Sequence, residues 1–69
     1  MIKEEIEYIN DLGYHKTLTI ITQKDGLYFM AISYRGDITS FERNCTEKRV
    51  QEFRKKILNH KIILAIKNY

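Results

Sequence analysis

The sequence holds no proline, no tryptophan, one cysteine and three glycines. With no proline and so little glycine it is neither collagen-like nor a flexible linker. A single cysteine excludes a disulfide scaffold within the chain. No C-x-x-C, H-x-x-x-H or acidic calcium loop occurs, so no metal-ligand spacing is spelled out. No glycine-rich loop is present to cradle a nucleotide phosphate. The longest apolar run, Ile62-Ile63-Leu64-Ala65-Ile66, falls far short of the roughly 20 residues of a membrane-spanning helix. The opening Met1-Ile2-Lys3-Glu4-Glu5 lacks the apolar stretch of a secretory signal. These absences predict a soluble, cytoplasmic protein without a cofactor, and the lone Cys45 fits a reducing compartment.

The chain has 69 residues, which makes residues 1–69 one domain, since a domain takes about 100–200 residues. Such a domain buries only about 60% of the surface its unfolded chain exposes. Hydrophobic residues at 43% and charged residues at 30% are the balance of a folded domain, not of a disordered tail. Isoleucine and lysine are abundant, the usage of an AT-rich genome. That composition points to a low-GC bacterium, or to a phage or mobile element of one.

The pattern predicts an α+β fold: a small antiparallel sheet of three to four strands with two helices, in the order α-β-β-β-α(-β). Ile2, Ile6 and Ile9 recur at helical spacing, so residues 2–12 read as an amphipathic helix that Gly13 ends in a left-handed conformation. Residues 16–23 are β-branched and alternate, which predicts a strand. Asp25-Gly26 predicts a two-residue hairpin turn, and residues 27–34 the return strand. Arg35-Gly36-Asp37 reads as a second turn, and Ile38 to about Glu42 as a third strand. The same triplet matches a cell-adhesion tripeptide, but a hairpin turn explains it. Thr46 is a suitable N-cap for a second helix with the apolar stripe Val50, Phe53 and Ile57, fraying near Asn59-His60. Cys45 then stands at N′ and Val50 at N4, the arrangement of a hydrophobic staple. Residues 62–67 read as a fourth strand, with a continued helix as the alternative because Leu64 falls on the same stripe.

Two surface features follow. A two-residue Asp25-Gly26 turn pairs Thr22 with Phe29, Ile20 with Ala31 and Leu18 with Ser33. It leaves Tyr28, Met30, Ile32 and Tyr34 on the opposite face with Ile21. Both faces are then apolar enough to need cover. Either the helices take one face each, or one face meets a protein partner or a second copy. Charge is also segregated: residues 1–12 carry −3 and residues 43–61 carry +5 within a net charge of +3. Lys48, Arg49, Lys55 and Lys56 make the second helix a basic strip. Such a strip is either a solvated face, with Glu52 and Lys56 paired at i,i+4, or a contact for phosphates or an acidic protein.

The predicted order of helix, three antiparallel strands and helix resembles the double-stranded-RNA-binding domain. Lys48, Arg49, Lys55 and Lys56 are the counterpart of the lysine cluster on that family's second helix. The loop Gln23-Lys24-Asp25-Gly26 holds no histidine where the family has one, and the second helix is not alanine-rich. The likeness therefore covers element order and one basic cluster, and implies phosphate contacts to RNA.

His15, His60 and Cys45 are far apart in sequence, and no nucleophile stands beside a base, so the chain is expected not to be an enzyme. The expectation is a non-enzymatic binding protein: a phage or mobile-element regulator or inhibitor of a host protein. Its surface would be Tyr28, Met30, Ile32 and Tyr34, the basic helix, or both. The alternative is a nucleic-acid-binding module using that helix. No small-molecule or membrane partner is expected.

Overall fold

The computed structural model describes residues 3–60 and 62–69; Met1, Ile2 and Lys61 lie outside them. The described residues form five strands and one helix: β1 (Lys3–Ile9), β2 (His15–Thr22), β3 (Tyr28–Tyr34), β4 (Asp37–Cys45), α1 (Glu47–His60) and β5 (Ile62–Asn68). The strands form one sheet in the order β4-β3-β2-β1-β5, with every neighbouring pair antiparallel. β4 and β5 are therefore parallel to each other at opposite edges. The chain between them must travel back along the sheet, and α1 makes that return across one face.

This overturns the two-helix order α-β-β-β-α(-β). Residues 3–9 are a strand beside the middle of the sheet, and with them goes the element order that resembled the double-stranded-RNA-binding domain. The segment has two readable periods. Ile6 and Ile9 suit a helix, but Ile6 and Tyr8 also alternate with Glu5 and Glu7, and both are buried. Glu4 masks that alternation, because it is a carboxylate at an inward position. It is tolerated there because Arg54 of α1, 50 residues away, meets it. No local signal reveals such a partner.

The first two hairpins close with the same kind of turn. Gln23 N–H donates to Leu27 O at 2.7 Å, and Gly26 N–H to Gln23 O at 3.2 Å. Asn10 N–H donates to Tyr14 O at 2.9 Å, and Gly13 N–H to Asn10 O at 3.0 Å. Each is a three-residue loop closed by glycine in the left-handed region, φ 84° at Gly26 and 88° at Gly13. Asn10 Oδ1 also accepts from the Leu12 and Tyr14 amides. The extra loop residue moves the register by one from the two-residue reading. Thr22 faces Tyr28, Ile20 faces Met30, and Leu18 faces Ile32. Arg35 and Gly36, both at positive φ, make the tight turn expected between β3 and β4.

The core lies between this face and α1. Ile6, Tyr8, Leu18, Ile20 and Met30 meet Val50 and Ile57, with Phe53 and Ile63 at the margin. Thr46 caps the helix as expected: its Oγ1 accepts from Arg49 N–H at 3.2 Å. Cys45 and Val50 share the core cluster, the packing anticipated for the staple. Leu18→Ala, at the fully buried centre, is expected to cost about 2–5 kcal/mol in urea denaturation. Thr46→Ala is expected to cost about 1 kcal/mol in the same measurement.

Candidate interaction surface

The corrected register decides where the anticipated surface falls. Tyr28, Met30, Ile32 and Tyr34 lie on the face beneath α1. Met30 is 3% exposed and belongs to the core, while Tyr28 and Ile32 are half-buried against it. Tyr34 stands at the end of the sheet, with Tyr14 edge-on at 5.4 Å and the Arg35 guanidinium 5.2 Å from its ring.

The basic strip divides as well. Arg49 donates from Nε to Glu42 at 3.0 Å and lies over the Phe53 ring. Arg54 holds Glu4 through Nε at 3.2 Å and through Nη2, with both side chains partly buried. Two of the bases on α1 thus tie the helix to both flanks of the sheet. Lys48, Lys55 and Lys56 remain exposed on its outer side, around Glu52. Among the described residues no ion pair joins Glu52 to Lys56.

Among the described residues no helix covers the other face of the sheet. Pairing across the strands sets out its rows: Lys3, Ile21 and Phe29; Glu5, Thr19, Ala31 and Phe41; Glu7, Thr17, Ser33 and Ile38. One flank is apolar and aromatic. Phe29 and Phe41 stack with ring centroids 6.1 Å apart, and Arg43 lies 5.4 Å over Phe41. Phe41 is 58% exposed and Ile38 60%. The far flank is charged, with Lys3 bridging Glu5 at 3.0 Å and Lys67 paired opposite Glu5 on β5. Exposed aromatics beside an arginine are the residue types that anchor protein interfaces.

Sequence reading missed Phe29, Ile38, Phe41 and Arg43 as a group. Phe29 was visible as the alternate of Tyr28, and a strand was expected from Ile38 to about Glu42, but the register of β4 and its extension to Cys45 were not. Its register shifts twice against β3, and Asn44 adopts φ 56°, so no simple period runs through it.

A groove of about 280 Å³ lies between α1 and β4, with Met30, Ile32 and Phe53 along it and Arg49 and Glu42 beside them. A wider cleft between the two turn regions is lined by Glu7, His15, Tyr34 and Arg35. Among the described residues no group of three or more His, Cys, Asp or Glu could hold a metal ion. No helix among them is long and apolar enough to cross a membrane.

Burial raises the pKa of both Cys45 and Tyr8, and the Glu42 carboxylate raises that of Cys45 further. Both groups therefore favour their neutral forms in the fold. Their contribution to stability is complete below the ordinary thiol and phenol pKa values and is lost as pH rises through the raised ones. Stability should fall in two stages on the alkaline side, the first setting in above the ordinary thiol pKa of about 8.5–9 and the second above about pH 10. Cys45→Ala is expected to remove the first stage in a pH series of urea melts. Native Cys45 should also react with a thiol reagent far more slowly than in urea.

Compared with protein families, curated proteins and solved structures, the chain matches none.

Proposed function

We propose that this chain is a cytoplasmic, non-enzymatic binding protein that engages a protein partner through the uncovered face of its sheet. The observation that carries this reading is the stacked pair Phe29 and Phe41 with Arg43 over it, on a face no helix covers. Neither ring is needed to complete the core cluster. Charge on the far flank would fix the orientation of the partner. The composition of an AT-rich genome supports a phage or mobile-element origin, and with it a regulator or inhibitor of a host protein.

A nucleic-acid reading has weaker support. Arg49 and Arg54 are engaged by carboxylates, which leaves Lys48, Lys55 and Lys56 around Glu52.

Phe41→Asp should leave stability within about 1 kcal/mol, since the ring is mostly exposed, and should abolish retention of host protein on the immobilised chain. The triple change Lys48→Glu, Lys55→Glu and Lys56→Glu should leave retention intact. Retention lost with the lysines instead of with Phe41 would overturn the assignment. So would a gel shift with mixed RNA and DNA that weakens steeply with salt.

A further inference from the structure

We infer that β5 is a pairing edge for a second copy of this chain, giving a dimer with one continuous ten-stranded sheet. This does not rest on the partner face proposed above, because it uses the edge of the sheet.

The two edges are built differently. β4 carries Asp37, Glu42 and Arg43 and shifts register twice against β3, all of which discourage pairing. β5 reads Ile62-Ile63-Leu64-Ala65-Ile66-Lys67-Asn68 with a single charge. Its one irregularity, opposite Glu7 and Tyr8, leaves Ala65–Asn68 in regular register.

The backbone of that regular stretch has a readable direction. Tyr69 N–H donates to Lys3 O at 2.8 Å, so the bonded pairs with β1 continue at Lys67 with Glu5 and at Ala65 with Glu7. The peptide groups of Ile66 and Asn68 therefore point away from the sheet, where the strand order places no further strand.

An antiparallel strand can pair with itself about a twofold axis, and an isologous contact closes at two copies. Centring the axis on Ile66 sets Ile66 opposite Ile66 of the second copy, and Ala65 opposite its Lys67. Moving the centre to Lys67 would oppose two like charges, which is unfavourable. The Ile66 register keeps both helices on one side of the joined sheet. It brings the two copies of Ile66 toward each other.

The exposed apolar surface is of the right order. Leu58 is 39% exposed, Ile62 64%, Leu64 48%, Ile66 50% and Tyr69 63%. Pairing in this register spans residues 63–69 and so covers Leu64, Ile66 and Tyr69, which together expose roughly 300 Å² per copy. With the edge backbone and flanking side chains, the two copies together reach the about 1,000 Å² that a specific interface needs. A contact at this lower limit implies a reversible, concentration-dependent dimer.

Sedimentation velocity of the full chain from about 1 μM to 1 mM tests this. The expected result is a rise from the 8.3 kDa monomer to twice that mass and no further. Ile66→Lys should shift the midpoint at least about tenfold to higher concentration. Ile66→Pro removes only the outward-facing N–H and should do the same with the circular dichroism spectrum retained. Should the proline variant unfold, Leu64→Lys replaces it as the second readout. Phe41→Asp should leave the midpoint unchanged. A monomer across the whole range, open-ended growth past two copies, or a dimer that survives Ile66→Lys would each overturn the inference.

Discussion

One 14-residue helix has to cover a sheet of five strands, and most of what is unusual here follows from that mismatch. A helix is about 10 Å wide with its side chains. Strands lie about 4.8 Å apart, so α1 shelters two or three of them. It takes the middle, β1 to β3, where Ile6, Leu18, Ile20 and Met30 meet Val50 and Ile57. Arg49 and Arg54 tie it down on either side, to Glu42 of β4 and Glu4 of β1. It reaches the edge strands only at Glu42 and Cys45 of β4 and at Ile63 of β5. Exposed Ile38 and Phe41 are on β4, and exposed Ile62, Leu64 and Ile66 on β5. Apart from Leu12, Tyr14, Leu58 and Tyr69, the large apolar side chains left exposed fall on these two strands. On β4 they lie on the face opposite α1, and on β5 along the edge of the sheet.

The same geometry separates two surfaces of different kind. The uncovered face offers aromatic rings and an arginine, groups suited to a partner of unlike shape. The β5 edge offers peptide groups and aliphatic side chains, which suit another strand. The two can operate together, because one lies in the plane of the sheet and the other across it. A twofold at β5 would present two copies of the Phe29 and Phe41 pair on the same side of a joined sheet.

Local chemistry was legible in the sequence wherever a few neighbouring residues settle the outcome. Thr46 as N-cap, the stripe Val50, Phe53 and Ile57, the strand at residues 62–67, the Arg35-Gly36 turn and the packing of Cys45 on Val50 all needed only their neighbours. What was not legible depended on distant residues or on a single loop position. Glu4 hides the alternation of β1 because its partner Arg54 comes from another element. Asp25-Gly26 marks a hairpin correctly, but it does not say whether two or three residues make the loop. That one residue moved Tyr28, Met30, Ile32 and Tyr34 from an expected open surface to the face under the helix. The basic strip was real in composition, but two of the five bases on α1, Arg49 and Arg54, are held by carboxylates of the sheet.

The central claim is that β1 is an interior strand under α1 and that cover thins toward β4. Native-state hydrogen exchange tests it most directly, since amide protection reports the local free energy of opening. The account predicts the slowest exchange at the bonded amides of β1 and β2 around Ile6 and Leu18, with β4 faster by orders of magnitude. Fast exchange across residues 3–9, or protection along β4 equal to that of β2, would contradict it.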